Sequence, residues 1–275
     1  MATFYQKGEK KMENLKIYKS GLLPVQNLRI METGNRFGIM TTKKTYYPEE
    51  FDKEDREKAF LQARMEASKH YNKDFDPYKF YMPTQDGKGK AVTLTQEMIE
   101  ASWDGWNLDI QADILIVTDK TPGVVVGYPV ADCPVIIASD LKQGVTATTH
   151  CGAEMIDQYL PKLTVESLQS KYDSKLDDIS IYVGAYAGTN WTYDRWPVWA
   201  NDSFWAQAIT KEDGMYKINL KKAILRQLNP RKFDSFYMND DNTLTNPNYY
   251  SNSAFKNGAE EKKGLNFTGA YYKKK

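Results

Sequence analysis

The chain has 275 residues, 41% of them apolar and 13% aromatic, enough to bury one large core or two smaller ones, which excludes large-scale disorder. A formal net charge of +1 gives no electrostatic ground for a nucleic-acid partner, and no apolar run approaches the ~20 residues that span a bilayer, so neither nucleic acid nor membrane is expected. The first 22 residues are polar and lysine-rich without the apolar centre of a secretion signal, so the expected location is the cytoplasm, where two cysteines read as thiols rather than as a disulfide framework.

Residues 1–24 show little periodicity and read as a mobile arm or an edge strand ahead of a single domain over residues 25–275. Short apolar segments between residues 28 and 42, with Gly34 in a turn, predict two strands. Pro48, Glu49 and Glu50 open a helix that runs to about Tyr71, since proline and acids suit a first turn. Its apolar stripe is Phe60, Leu61, Met65 and Ser68, and Ala59, Ala63 and Ala67 allow close packing on one side. His70, four residues after Glu66 and near the helix end, reads as a surface histidine. An aromatic stretch then ends at Pro83, and Gln85-Asp86-Gly87-Lys88-Gly89 reads as a turn. Trp103 and Trp106, around Gly105, read as core aromatics.

Strands are expected at residues 114–117, 124–126, 135–138 and 145–149, the last two joined by the polar turn 140–144. A helix over about 155–172 must kink or restart at Pro161. Residues 179–183 form the next strand, residues 220–228 an amphipathic helix ended by Asn229 and Pro230, and Phe236 and Tyr237 mark a last core strand. There is no internal repeat and no linker.

The chemistry concentrates in residues 130–154, which hold both cysteines and one of the two histidines. Asp132 and Cys133 precede one strand of the expected hairpin, and His150 and Cys151 follow the other, so antiparallel pairing brings Cys133 and His150 to the same sheet edge. A thiolate and an imidazole meeting there are competent zinc ligands. Cys151 is a candidate third ligand only if the strand has ended before it, because neighbours in an extended chain point to opposite faces. Asp132 is either a general acid or base beside the thiolate or a carboxylate tied up by backbone amides.

The letters A-D-C at Ala131, Asp132 and Cys133, followed by T-H-C-G-A-E from Thr149 to Glu154, resemble the A-D-C and H-A-G-W-R-G motifs of the laccase-domain family. These are multicopper polyphenol oxidoreductase-like proteins now read as purine nucleoside phosphorylases. Residues 112–118 resemble the family's G-D-A-L-V-T strand, residues 182–188 its I-G-P-A-I-G turn, and residues 37–42 its F-T-T-R opening. Tyr249-Tyr250-Ser251 and Thr268-Gly269 resemble its F-S-Y-R-R and R-T-G-R segments, so the resemblance covers roughly residues 25–272.

The resemblance implies an α/β (α+β) single domain with a central mixed sheet flanked by helices, and a zinc-dependent enzyme acting on a purine nucleoside as phosphorylase, hydrolase or deaminase. Its catalytic residues would be Asp132, Cys133 and His150. Gln85, Tyr128, Glu154 and Trp191 are the candidate substrate contacts, with Tyr193 and Trp196 as further aromatic surfaces, each of which can equally be core cover. The family's first zinc-ligating histidine is missing, and Asp86 or Cys151 would have to complete a shell begun by Cys133 and His150. Glu154 stands in place of the motif's arginine, Ser251-Asn252-Ser253 in place of the double arginine, and Thr189-Asn190-Trp191-Thr192 in place of the family's paired cysteines, which argues against phosphorolysis. The alternative reading is a catalytically inactive homologue that binds or sequesters nucleosides or nucleotides, or serves as a structural component, a homo-oligomer included. Coupled copper oxidation is discounted, since it needs several imidazoles and the chain has two histidines.

Overall fold

The computed structural model describes residues 3–6, 27–35, 49–71, 73–101, 110–188, 191–201, 203–258 and 264–274. The segment 37–42, Pro48, Trp103, Trp106, Thr189 and Asn190 lie outside them. In chain order the elements are β1 (Thr3–Gln6), β2 (Leu28–Glu32), α1 (Lys53–His70), β3 (Phe80–Tyr81), β4 (Ala91–Thr93), α2 (Gln96–Ala101) and β5 (Ile114–Thr118). Then come β6 (Val125–Val130), β7 (Val135–Asp140), β8 (Val145–His150), α3 (Ala153–Asp157), α4 (Leu160–Tyr172) and β9 (Ile179–Val183). The remainder is β10 (Thr192–Tyr193), α5 (Trp205–Ala208), β11 (Ile209–Glu212), β12 (Met215–Ile218), α6 (Leu220–Gln227), β13 (Ser235–Met238), α7 (Asn252–Lys256) and β14 (Asn266–Tyr272).

A seven-stranded mixed sheet runs in the order β1-β13-β9-β7-β8-β5-β4, and a four-stranded sheet, β2-β14-β6-β3, lies against it. The alternation of side chains along a strand sorts the apolar residues into separate cores. Ile114, Ile116, Ile136, Ala138, Ile179 and Ile181 point to one side, where they pack with Leu160, Val165 and Leu168 of α4 and Ala223 and Ile224 of α6. Leu115, Val117, Val135, Ile137 and Tyr182 point to the other, against Ile30, Val126, Tyr128, Val130, Ala270 and Tyr272 of the second sheet. The outer face of that sheet, through Val125, Phe267 and Tyr271, is covered by Phe60, Ala63 and Ala67 of α1. Sandwiching between layers explains why β5, β7 and β9 are near-continuous apolar runs. A small third sheet has the order β10-β12-β11, and its Ile209 and Ile218 join the helix-side core.

Several expectations need correction. The helix expected from Pro48 begins at Lys53, because Asp52 and Asp55 form a capping box, each side chain accepting the other's backbone N–H, at 2.9 and 3.3 Å. The buried stripe of α1 is Phe60, Ala63, Arg64, Ala67 and Ser68, while Met65 is 41% exposed. The alanines set the stripe because the bulk is supplied from below by the sheet's aromatics, and Arg64 enters because its guanidinium lies over the Phe60 ring at 4.4 Å. The helix expected over 155–172 restarts: Tyr159 takes a left-handed φ of 62° between α3 and α4, and Pro161 sits in the first turn of α4, where its missing N–H costs nothing. The strand at Phe236 and Tyr237 is β13, but the last core strand is β14, wholly buried between β2 and β6.

Candidate functional site

The site is built on the β7/β8 hairpin. Asp140 Oδ1 accepts the N–H groups of Lys142 and Gln143 at 3.0 and 3.1 Å, and Gly144 takes a φ of +64°, which closes the turn. The resulting register pairs Asp140 with Val145 at one end and Val135 with His150 at the other. Pairing continues one step further, with Cys151 N–H donating to the Pro134 carbonyl at 2.8 Å. Cys133 and His150 are thereby held at the same edge. The chain then turns at Gly152, the N-cap of α3. A Cβ built on Gly152 would lie 3.4 Å from Cys133 Sγ, 3.4 Å from His150 Cε1 and 3.5 Å from His150 Nε2. The glycine thus leaves a notch bordered by the thiol and by the Nε2 edge of the imidazole.

Gln85 sets the state of that imidazole. Its Nε2 donates to the Asp113 carbonyl at 3.1 Å, to the His150 carbonyl at 3.3 Å and to Thr149 Oγ1 at 3.4 Å, acceptors that fix which end of the amide is nitrogen. Its Oε1 is therefore the atom 2.8 Å from His150 Nδ1, and an oxygen there requires an N–H on Nδ1. In its neutral form the ring therefore carries its lone pair on Nε2, on the side of the notch.

Gln85 is in turn held by Asp113. The fully buried Asp113 carboxylate accepts the N–H groups of Asp86 and Gly87 on Oδ1, at 3.0 and 2.8 Å, and of Gly89 and Lys90 on Oδ2, at 2.8 and 3.2 Å. The Asp113 carbonyl also accepts from Thr149 Oγ1 at 2.7 Å and from Tyr128 at 2.8 Å. A loop that presents its amides in this way needs left-handed backbone at Gly87 and Gly89, with φ of +78° and +76°.

The structure separates the expected site residues. Cys133 and His150 converge, with Gln85 behind the imidazole. Tyr128 is buried beside His150, ring centroids 6.1 Å apart, with its hydroxyl committed to the main chain. Asp132 has both carboxylate oxygens engaged: its φ is +78°, Oδ1 accepts from Thr243 Oγ1 and Oδ2 from the Ser253 N–H, both at 2.8 Å, which locks the corner ahead of Cys133. Glu154 is exposed in the first turn of α3. Burial, with smaller contributions from the charges of Asp132 and Glu154, pushes the Cys133 thiol up to about 12. Trp191 is half-buried, beside Tyr193 and Trp199.

The donors expected to complete a zinc shell are turned elsewhere. Asp86 is exposed and paired with Lys88 at 2.8 Å, which holds its carboxyl below the usual range. Cys151 is wholly buried in the core with Ile136 and Ile156, and burial raises its thiol well above the ordinary range. Among the described residues no three His, Cys, Asp or Glu side chains gather as a metal ion would need. Among the described residues Cys133 and His150 are two zinc donors without a third, and this donor set does not fit the three-ligand shell of a catalytic zinc. Both cysteines are free thiols.

Sequence reasoning missed Asp113 and Gly152 and left Gln85 among the substrate contacts. A signal for Asp113 existed, namely a carboxylate directly ahead of an all-apolar strand and behind a Gly-Lys-Gly turn.

A family model described as multi-copper polyphenol oxidoreductase laccase matches residues 41–264. The fold is similar to that of the hypothetical protein YfiH from Bacillus licheniformis, with a TM-score of 0.69 at 14% identity over 93% of this chain and 100% of that one. YlmD from Geobacillus stearothermophilus aligns with a TM-score of 0.68 at 14% identity over 94% and 98% of the two chains. Neisseria meningitidis protein NMB0706, of the family model DUF152, aligns with a TM-score of 0.64 at 13% identity over 90% and 95%. No curated protein matches the sequence. Among the described residues no helix is long and apolar enough to cross a membrane.

Proposed function

This chain belongs to the multi-copper polyphenol oxidoreductase laccase family, and on that premise we propose that it processes purine nucleosides at the Gly152 notch, releasing the base with water as the attacking group. The observation that carries this reading is the Gln85–His150 hydrogen bond, which leaves the imidazole's lone pair on the Nε2 edge at the notch. An imidazole in that state accepts a proton from water as the water oxygen bonds to C1′ of the ribose. The C1′–N bond breaks, its electron pair leaves on the base nitrogen, and that nitrogen takes up the proton His150 received, so water is added across the bond and His150 is restored. Cys133, kept protonated by its buried setting, is a thiol neighbour of this step rather than a nucleophile. Phosphate is a poorer attacking group here, because Glu154 and Asp132 place negative charge near the thiol. Copper oxidation does not suit a chain whose two histidines are His70 on α1 and His150 on β8.

The test is incubation of the full chain with inosine and with adenosine, with and without phosphate, and chromatography of the products. Free hypoxanthine or adenine should appear at a rate indifferent to phosphate and fall by on the order of 10²-fold or more in His150→Ala. Release that depends on phosphate, or none at all, overturns the hydrolytic reading.

A second reading, a nucleoside-sequestering module, is favoured by Asp132, whose two carboxylate oxygens are both committed to structure. Calorimetric binding of inosine without any product would select it.

A further inference from the structure

The segment after β9 stays close to the site, because Ala187 N–H donates to the Asp132 carbonyl at 2.8 Å, one residue before Cys133. Further along, the Asn201 N–H and Trp205 Nε1–H both donate to Asp157 Oδ1, at 3.1 and 2.9 Å. Asp157 closes α3, and α3 starts at the Gly152 notch. These ties hold Ala187 beside the corner ahead of Cys133 and Asn201 beside the end of α3, and the described residues 191–199 between them carry a cluster of rings. The centroid of Trp191 lies 5.4 Å from Tyr193 and 6.2 Å from Trp199, with Tyr193 and Trp199 6.0 Å apart. Tyr193 and Trp199 meet edge to face at an interplanar angle of 75°, and Trp191 and Tyr193 meet at 60°. All three rings are half-buried, packed on the helix-side core with part of each surface uncovered.

We propose that this cluster is the wall that recognises the purine base, with Tyr193 the residue that stacks on it. The inference rests on the nucleoside reading above and adds the base-binding surface to it. A purine is a flat π-system with polar edges, and rings already held by their neighbours lose little freedom on stacking with it. Tyr193 suits the role because its ring is in contact with both indoles, which hold it in place. The ribose of a base lying on Tyr193 is then required to reach the notch, where His150 acts on C1′.

The experiment is titration of the full chain with inosine, followed by tryptophan fluorescence and by calorimetry, for wild type, Tyr193→Phe and Tyr193→Leu. Leucine keeps apolar bulk without a ring, so folding is preserved and is checked by circular dichroism. Inosine should quench the wild-type emission. Tyr193→Phe should bind within about twofold of wild type, and Tyr193→Leu about tenfold or more weakly, the loss expected when one base–aromatic stack is removed. Equal affinity in wild type and Tyr193→Leu overturns the assignment and leaves the nucleoside reading standing. Equal weakening in both variants overturns stacking in favour of the hydroxyl. No inosine or adenosine binding by wild type defeats the nucleoside reading, and this inference with it.

Discussion

At the scale of single residues, the site depends on which atom of Gln85 meets His150. Replacing Gln85 by leucine removes the acceptor at Nδ1 while keeping bulk, so the imidazole is free to take the tautomer with its proton on Nε2, where it no longer accepts. If the nucleoside reading holds, Gln85→Leu should lower kcat by on the order of 10²-fold with KM within a few-fold, because the loss is in proton transfer rather than in binding. Steady-state kinetics on inosine measure this, and an unchanged kcat would show that the tautomer does not matter. Asp132 teaches the converse lesson. Its place beside Cys133 in sequence suggests chemistry, yet its backbone is left-handed and both its oxygens hold loops, so adjacency in sequence said nothing of where its carboxylate points.

At the scale of elements, the hairpin was legible because β-branched runs broken by Asp, Lys and Gly leave few alternatives. β7 and β8 start where expected and extend slightly further, to Asp140 and His150. The helix restart at Pro161 and the helix from Leu220 were equally plain. The second sheet was not legible, since β14 is composed of Asn, Gly, Thr and Tyr as much as of apolar residues and is buried only because β2, β6 and α1 close around it. The Gln85 loop was read as a turn, but not what holds it, because its partner Asp113 lies beyond another strand and helix. That loop should be a weak point of the fold. Asp113→Ala leaves four amides without their acceptor, and hydrogen bonds to a charged group contribute about 1.5–3 kcal/mol each where water cannot replace it. The loop is partly exposed, so a total loss of roughly 3 kcal/mol is expected in denaturant unfolding. A loss below about 1 kcal/mol would mean that the loop holds itself.

At the scale of the whole molecule, the two large sheets are joined at a buried acid. Glu32 ends β2 in the four-stranded sheet, and its carboxyl meets Tyr182 of β9, the Ala185 N–H at 2.6 Å and Asn239 Nδ2 at 2.9 Å, all from the seven-stranded sheet side. Burial raises the Glu32 carboxyl above its usual range, against the lowering effect of those hydrogen bonds, and Asp241 adds to the rise. A carboxyl whose folded value is raised favours the folded state while protonated. Its contribution is complete below the unfolded value of about 4.3 and is lost as pH climbs through the raised value. Across that window each pH unit removes at most about 1.4 kcal/mol from this one group. Glu32→Gln abolishes the titration and keeps the shape, so calorimetric melting of both proteins should show the variant gaining on wild type between pH 4.5 and pH 7.5. The comparison isolates the seam, because every other titrating group is common to both proteins. A melting difference that stays constant over that range would mean that Glu32 is ionised in the fold and that the bonds from Tyr182, Ala185 and Asn239 outweigh its burial.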